Sequence, residues 1–518
     1  MAIEIYSLWG DERKIFKANE VLYNYIFKKL NAKKENIEWN GYYSMENLNK
    51  NEELEKLLIQ CLPKERISFD TKVRYYHSIG KGSVEYARLI EKKILKIVDA
   101  VIYPREEEII CLLKKIKNDA EIIIFGGGTS VTGGVLPSGL KKYSISLDTK
   151  NLDYFKIDTE SMILEAGAGL RGPDLENRLK KMNMTLGNFP ESFEYSTLGG
   201  WIATNAAGQE SNKYGKIKDM VLGLELVSSS GSYADHKVPA ESAFFRVSDI
   251  AVGSEGTYGI ITRAWLKIHK IPERLFFKSY MFRNFEDGLL AIRNEIANGN
   301  APIVSRLSDD EETKLSMLAI EDNALTKIFK LYLKERHVLD KGSILIVMDD
   351  KKINMGKGIN LGSVPAKLWY KTRYDRPYMY NELLKHGIIA ETIETSVPWS
   401  NASKLYKNVI SSFYSEIKNL NIDGIIMCHA SHEYISGTAL YFTFLFYSKT
   451  EKEKNLKLLR KKVITSILES GGSISHHHGI GTYLSEEFTI YKGSSMEIIK
   501  TLKNTFDREN ILNPGVIK

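Results

Sequence analysis

The stretch that decides the fold is AEIIIFGGGTSVTGG, residues 120–134. Its first six residues are nearly all apolar and predict a short buried strand. The strand leads into a loop whose glycines leave backbone N–H groups uncovered, as a bound diphosphate requires. The loop is not a Rossmann fingerprint, because Val131 stands where glycine is needed, and no GK[ST] follows to make a P-loop. Taken alone, it is equally typical of a tight turn.

The order of elements around this loop predicts a nucleotide-binding region. DAVIYP reads as a strand, REEEIICLLKKIKND as a helix, and YSISLDT, SMILEAGAG and GIITRAWLKIHKIP as further strands. The apolar residues of segment 1–75 recur at helical spacing. After Pro272, long helical patterns alternate with apolar strands. The helical patterns include NFEDGLLAIRNEIANG and NALTKIFKLYLKERH, and the strands include GSILIVMD and TALYFTFLFYS. We predict an α+β protein with four parts: a helical segment 1–75, a cofactor domain 76–272, an α+β substrate or cap domain 273–480, and a C-terminal segment 481–518 that returns to the cofactor domain.

Length and composition limit the class of protein. A chain of 518 residues is too long to fold around one hydrophobic core, so we expect two or more packed units. Its 72 basic and 65 acidic residues are mixed along the sequence, and this pattern gives no support for a nucleic-acid partner. The three cysteines Cys61, Cys111 and Cys428 are far apart and form no CxxC pair, so we expect neither a disulfide framework nor a thiolate metal site, and a reducing compartment fits best. No apolar run approaches the roughly 20 residues that span a bilayer.

Two further segments share the bare backbone of the glycine loop. PESFEYSTLGGWIATNAAG, residues 190–208, combines glycines, small residues and hydroxyls, and GSEGTYGIIT, residues 253–262, places glycines around Glu255 before a strand. A cofactor with a long diphosphate and a flat ring explains so much uncovered backbone in one domain. The alternative is that all three segments are surface turns.

Together these segments resemble the FAD-binding domain of the vanillyl-alcohol oxidase superfamily, also described as PCMH-type. The resemblance implies two α+β subdomains with FAD between them. Because Thr129 lies where some relatives attach FAD through a histidine, it also implies non-covalent flavin. The implied cofactor-binding residues are Gly126, Gly127, Gly128, Thr129, Ser130, Gly133, Pro190, Glu191, Ser192, Ser196, Thr197, Gly200, Thr204, Ala207, Glu255 and Ile261.

Within that superfamily, the sequence most resembles the alkyldihydroxyacetonephosphate synthases, also called alkylglycerone-phosphate synthases. The motifs that carry this resemblance are EWNGYY, ETIETSVPW, SGTALYFTFLF, GGSISHHHGIG and ILNPG. The alternative is an FAD-dependent D-2-hydroxyacid dehydrogenase of the lactate or glycolate type. Those enzymes carry a metal-binding HxGDGNxH-like segment where this chain has SGTALYFTF, so we expect no metal. A third reading is a flavin-binding protein without activity.

The stretch SISHHHGIG, residues 473–481, allows a metal cluster, an acid–base site or a polar loop. If it is a strand, neighbouring side chains point to opposite faces, so His476, His477 and His478 do not converge on one ion. Histidine titrates near neutral pH and relays protons. We therefore expect acid–base or substrate-polarising duty, with two imidazoles facing the flavin and one facing away.

The resemblance also implies the reaction and its participants. This family exchanges the acyl chain of acyl-dihydroxyacetone phosphate for a long-chain fatty alcohol, releases a fatty acid, and leaves the flavin in its starting oxidation state. Tyr441 matches the family's active-site tyrosine, although a core aromatic is the plain alternative. Arg373 matches its phosphate-binding arginine, with Arg376 close enough to be confused with it.

The expected location rests on targeting signals, and the expected assembly rests on family likeness alone. The chain ends in GVIK and not in an SKL-like peroxisomal signal. We expect a cytoplasmic enzyme with peripheral membrane contact, and a homodimer.

Overall fold

The computed structural model of the chain describes residues 8–10, 14, 16, 20–33, 48–91, 93, 95–320, 331–339 and 341–517. The motif EWNGYY lies outside the described residues, as does most of the helix expected over NALTKIFKLYLKERH, of which residues 331–335 are helical. The α-helices are Glu20–Lys29, Glu52–Leu58, Thr71–Tyr76, Ser83–Ile90, Glu106–Ile116, Gly172–Lys180, Leu198–Thr204, Ser211–Tyr214, Ile217–Met220, Val247–Ala251, Phe285–Ala297, Asp310–Leu318, Val364–Thr372, Arg376–Leu384, Trp399–Leu420, Lys452–Glu469, Ser485–Lys492 and Ser495–Phe506.

The first hydrophobic core lies between two small sheets and their helices. A four-stranded sheet has the order Ile67–Ser68, Ala100–Ile102, Tyr143–Asp148, Ala120–Phe125, and its last three strands are parallel. A five-stranded antiparallel sheet has the order Phe155–Asp158, Ile163–Gly167, Ile260–Lys267, Val221–Ser228, Gly231–Ala234. A two-stranded sheet pairs Met184–Thr185 with His269–Lys270.

The helix Glu106–Ile116 shows how the sequence specifies this unit. Three glutamates occupy its first turn and lysines its last turn, which complements the helix dipole. The Glu108 carboxylate accepts the Arg105 N–H at 2.7 Å and so caps the helix start. The apolar side chains Ile109, Leu112 and Ile116 fall on one face and are fully buried. The predicted strand, helix, strand and glycine-loop order is therefore confirmed.

The second core surrounds a seven-stranded antiparallel sheet. Its strands are, in order, Ile359–Gly362, Phe276–Phe282, Ser343–Asp349, Val304–Ser308, Asp423–Glu433, Gly437–Tyr447 and Ile388–Pro398. The long helices Trp399–Leu420 and Lys452–Glu469 pack against each other and against this sheet. Sequence analysis did not single out these two helices. The mixed α+β fold class is confirmed.

The domain boundaries 1–75, 76–272, 273–480 and 481–518 remain our proposal. In support of the last one, Ile511–Asn513 lies along the strand Ala120–Phe125, where the Ile122 N–H donates to the Ile511 carbonyl at 2.7 Å. The helix Ser83–Ile90 departs from the scheme, because its residues Val84 and Ala87 pack in the second core.

The expectation that the cysteines stay apart is wrong. Cys61 and Cys111 form a disulfide, with their Cα atoms 5.8 Å apart. The helices Glu52–Leu58 and Glu106–Ile116 pack together and bring the two thiols within bonding distance. Because the cysteines are 50 residues apart in the sequence, no local pattern indicates this contact. Cys428 is a free, buried thiol.

Within the part of the chain that the structure describes, no helix combines the length and the apolar character needed to span a bilayer.

Candidate functional site

The loop requires glycines because another segment of the chain packs directly against its backbone. A Cβ on Gly127 would lie 2.1 Å from the Tyr195 carbonyl oxygen, and one on Gly126 would lie 2.4 Å from the Thr197 hydroxyl. Gly128 has a φ of +66°, a conformation that favours glycine. The loop and the segment 190–208 therefore form one continuous surface of exposed backbone.

This surface lines a cavity of about 350 Å³ between the two cores. Fifteen of the sixteen predicted cofactor-binding residues line it: Gly126, Gly127, Gly128, Thr129, Ser130, Pro190, Glu191, Ser192, Ser196, Thr197, Gly200, Thr204, Ala207, Glu255 and Ile261. Gly133 does not line the cavity. Its carbonyl accepts the Thr482 hydroxyl at 3.2 Å, and a Cβ there would lie 2.4 Å from that hydroxyl, so this glycine allows the C-terminal segment to approach.

The cavity lining fits a long, polar, flat-ringed cofactor. A Cβ on Gly200 would meet no protein atom closer than 3.4 Å, so the cavity side of this glycine is open. Gln209 and Tyr86 also belong to the lining, and the Gln209 Oε1 and Tyr86 hydroxyl have no hydrogen-bond partner among the described residues. Uncovered backbone together with unpaired polar atoms is what FAD requires of its site.

The histidine segment wraps around one buried carboxylate. Glu394 accepts the backbone N–H groups of His476 at 2.5 Å, His477 at 3.1 Å and His478 at 2.9 Å, and the Ser475 hydroxyl at 2.7 Å. The premise that this segment is a strand is therefore wrong. Glycines in the left-handed region, at 479 and 481, let the chain turn instead.

The turn brings two imidazoles and a phenol together. The Tyr441 hydroxyl lies 2.8 Å from Nδ1 of His477 and 3.3 Å from Nδ1 of His476, and these two nitrogens lie 3.0 Å apart. Tyr441, His477 and His478 line the cavity, whereas His476 lies behind them with its Nε2 at 2.5 Å from the Tyr434 hydroxyl.

Burial sets the protonation states in this cluster. It raises the pKa of the Tyr441 phenol well above its ordinary value, and the nearby Glu394 carboxylate adds to the effect. Burial and neighbouring basic groups lower the pKa of His476 and His477 well below the ordinary value. The phenol therefore keeps its proton at neutral pH, and the two imidazoles are neutral.

Sequence analysis missed two more histidines of the cavity wall, His429 and His432. His429 stacks on Tyr441 with ring centroids 4.7 Å apart and 4° between the planes, because the strands Asp423–Glu433 and Gly437–Tyr447 place the two residues opposite each other. Nδ1 of His432 lies 2.5 Å from the Ser211 hydroxyl. Burial lowers the pKa of each to about 3. Pairing these two consecutive strands at the sequence level would have placed His429 beside Tyr441 and so indicated it.

Of the two candidate arginines, Arg376 lines the cavity and Arg373 does not. Arg373 stacks over the Tyr370 ring at 3.8 Å and donates to the Tyr370 carbonyl at 3.2 Å. Arg376 begins the next helix and pairs with Glu312 at 2.7 Å. Arg306, also in the lining, pairs with the same carboxylate at 2.7 Å.

Glu312 holds these arginines together. Although burial opposes ionisation, the Arg306 and Arg376 guanidinium groups keep the pKa of its carboxyl well below the usual value. A second carboxylate of the cavity lining, Glu191, also acts on both guanidinium groups.

Among the described residues, one group of side chains has the spacing of a metal site: Glu394, His476 and His477, whose ligand atoms lie within 4.8 Å of one another. The expectation that adjacent histidines cannot converge is thus wrong for this pair. Glu394, however, already accepts four hydrogen bonds, which occupy the oxygens that an ion would need.

Comparisons with known proteins agree with this geometry. Residues 98–235 match the family described as FAD binding domain, and residues 360–517 match the C-terminal domain of FAD linked oxidases. The chain is 31% identical to alkyldihydroxyacetonephosphate synthase of Trypanosoma brucei brucei, over 88% of this chain and 79% of that protein. It is 30% identical to the protein of that name in Caenorhabditis elegans, over 88% and 82%.

More distant relatives and solved structures complete the comparison. A D-lactate dehydrogenase of Archaeoglobus fulgidus is 24% identical over 80% of this chain and 90% of that protein. Two solved structures of alkyldihydroxyacetonephosphate synthase, in P1 and P212121, superimpose with TM-scores of 0.81 and 0.82 at 26% identity, covering 98% of both chains. The chain belongs to the alkyldihydroxyacetonephosphate synthase family of FAD-binding proteins.

Proposed function

We propose that this chain is an FAD-dependent alkylglycerone-phosphate synthase. It exchanges the acyl chain of acyl-dihydroxyacetone phosphate for a long-chain fatty alcohol, releases a fatty acid and produces no net redox change. One observation carries the proposal: the hydrogen-bonded Tyr441 and His477 pair faces a cavity that the glycine loop also lines.

FAD, when bound, supplies the electron-accepting ring that allows the exchange without net oxidation. We assign the remaining work to the protein. The neutral His477 imidazole takes up the proton that the substrate loses. The Tyr441 hydroxyl, hydrogen-bonded to that imidazole, carries the proton between the cavity and His477. Of the predicted catalytic histidines, His476 supports this pair from behind, and His478 stays a cavity-lining candidate.

The substrate phosphate is assigned to Arg376, with Arg306 beside it. Their guanidinium groups suit a phosphate because a planar fork donates two parallel hydrogen bonds. Glu312 fixes both side chains before the substrate arrives. Arg373 has its guanidinium stacked on Tyr370, away from the cavity lining, so we no longer favour it.

We assign the cofactor as non-covalent FAD, since Thr129 occupies the position in the glycine loop where a histidine would form a covalent bond. Acid precipitation of the protein should leave the yellow flavin in the supernatant. Colour that stays with the precipitate would contradict the assignment. Protein that remains colourless when offered FAD would contradict the proposed function itself.

The decisive assay mixes the purified protein with palmitoyl-dihydroxyacetone phosphate and hexadecanol and follows the alkyl product by mass spectrometry. We expect alkyl product, free palmitate, and a flavin absorbance that is unchanged at the end of turnover. The competing function, a D-2-hydroxyacid dehydrogenase, predicts that D-lactate bleaches the flavin under anaerobic conditions. Bleaching without alkyl product would establish that competitor.

We also propose peripheral membrane contact, which the lipid substrates support, together with a homodimer and a cytoplasmic location. Flotation with phosphatidylcholine vesicles, light scattering and fractionation test them in turn. The disulfide bears on the location, because a reducing cytoplasm would keep Cys61 and Cys111 as thiols.

A further inference from the structure

We propose that Trp9 is a wall of the ligand cavity and limits the length of the aliphatic chain that the cavity accepts. The identity of that chain rests on the proposed function. Trp9 is only 9% exposed and belongs to the cavity lining. It lies outside both regions that match known families, residues 98–235 and 360–517. This part of the wall is therefore not supplied by the matched domains.

The backbone of Trp9 is fixed to the cap domain. Its N–H donates to Oδ1 of Asn381 at 3.2 Å, and its carbonyl accepts Nδ2 of Asn381 at 2.9 Å. Asn381 is itself buried and lines the cavity. Both polar atoms of this amide are thus used to hold one residue, so the indole has a defined position relative to the helix Arg376–Leu384.

The segment Leu8–Gly10 also packs against the FAD domain. The Trp9 ring contacts the edge of Tyr195, with centroids 5.8 Å apart and planes at 82°. The Tyr195 hydroxyl lies 2.7 Å from that of Tyr378. Gly10 has a φ of +78°, and a Cβ there would lie 2.2 Å from the Tyr378 hydroxyl oxygen. The indole is held from two sides and cannot swing aside without breaking these contacts.

The helix Arg376–Leu384 explains why the ligand group near Trp9 is aliphatic. Arg376 stands at its first turn and suits the substrate phosphate, while the largely apolar side chains of Tyr380 and Leu384 line the cavity farther along. At 1.5 Å per residue, Leu384 lies roughly 12 Å along the axis from Arg376. Asn381, on which Trp9 docks, lies roughly 7.5 Å along the axis from Arg376, so a substrate with its phosphate at Arg376 has its hydrocarbon within reach of Trp9.

The test measures binding on the FAD-loaded protein, so it does not depend on turnover. The fluorescent 18-carbon fatty acid parinaric acid is bound and then displaced by dodecanol or octadecanol. We expect Trp9→Ala to raise the preference for octadecanol over dodecanol about tenfold, since space for a few methylene groups in an apolar pocket changes affinity on that scale. Trp9→Phe should shift the same ratio in the same direction by less.

Trp265→Ala is the matched control, because Trp265 is 8% exposed and does not line the cavity. It should leave the ratio unchanged. An unchanged ratio in Trp9→Ala overturns the inference, and if that variant fails to fold or to retain FAD, an unchanged ratio in Trp9→Phe does so. Failure of every alcohol to displace the probe also overturns it. A shifted ratio in a protein that makes no alkyl product would uphold Trp9 as the wall and reject the proposed function.

Discussion

Tyr441 is the residue on which three neighbours act at once. His429 stacks on its ring, His477 hydrogen-bonds its hydroxyl at 2.8 Å, and Glu394 adds negative charge nearby. Each contact opposes ionisation of the phenol or fixes its direction. A hydroxyl held in this way acts as a proton carrier and not as a permanent base.

Replacing Tyr441 with phenylalanine should slow exchange strongly and leave the flavin bound. We expect the rate of alkyl product formation to fall by about 10² to 10⁴, the usual contribution of a positioned acid–base group. The measurements are product formation and flavin absorbance. Tyr280→Phe is the control, because Tyr280 is a buried strand tyrosine whose hydroxyl donates to the Ile353 carbonyl outside the cavity. Activity close to wild type in Tyr441→Phe would remove this residue from the mechanism.

Glu255 should make stability depend on pH. Burial raises the pKa of its carboxyl to about 7, although the N–H groups of Ile480 and Gly481 donate to it and favour ionisation. The folded chain binds this proton more tightly than the unfolded chain, so the stabilisation is complete below the ordinary carboxyl pKa and is lost as pH rises through about 7. Glu255→Gln stays neutral at every pH.

The measurement is guanidinium unfolding of flavin-free wild type and Glu255→Gln between pH 4 and pH 8. The stability of wild type relative to the variant should decrease as pH rises through this range. Taking the difference cancels the buried histidines, whose lowered pKa values act in the opposite direction. A difference that stays constant with pH would contradict the assigned pKa.

At the scale of elements, the site is built where loops meet and not within any one of them. The glycine loop touches the segment 190–208 through Gly127, and the histidine turn touches the FAD domain through Glu255, whose carboxylate accepts the N–H of Ile480 at 2.7 Å. Strands fix the ends of these loops, and small residues allow their backbones to approach closely.

Alanine at Gly127 and at Gly200 should have different effects. A Cβ at Gly127 collides with the Tyr195 carbonyl at 2.1 Å, so this variant should lower both the stability of the flavin-free protein and its affinity for FAD. A Cβ at Gly200 meets only the Thr197 hydroxyl at 3.4 Å and projects toward the cofactor surface, so it should lower FAD affinity alone. Thermal unfolding and FAD fluorescence titration separate the two cases. Equal FAD affinity in Gly200→Ala and wild type would contradict the assigned cofactor surface.

At the scale of the whole molecule, the cavity lies between the two hydrophobic cores. The disulfide links the early part of the chain to the first core. Cys61 follows the helix Glu52–Leu58, whose residues Leu54 and Leu58 are fully buried there, and Cys111 lies on the helix Glu106–Ile116. A crosslink over 50 residues restricts the unfolded chain considerably.

Exchanging both Cys61 and Cys111 for serine should lower the free energy of unfolding by up to about 4 kcal/mol, the chain-entropy value for a loop of this length. Urea unfolding with and without dithiothreitol measures the effect. Reductant should destabilise wild type and leave the double variant unchanged. Equal stability of reduced and oxidised wild type would show that the crosslink adds nothing to the fold.

The sequence by itself predicted the strands and the glycine loop, and the resemblance of its motifs to a known family predicted FAD and the residues of the cofactor surface. The strands and the loop depend on local patterns of apolar residues and glycines, and fifteen of the sixteen predicted cofactor positions line one cavity. Tyr441 and His477 were also identified by motif, and the structure places them within hydrogen-bond distance.

Only the tertiary structure decided which side chains meet across the sequence. Arg376 lines the cavity and Arg373 does not, because one helix ends at Thr372 and the next begins at Arg376, so the two arginines belong to different elements. The turn around Glu394, the Cys61–Cys111 pair and the docking of Trp9 on Asn381 each join residues that lie far apart in the chain. Local propensity carries no information about such contacts, since packing of the whole molecule brings the partners together.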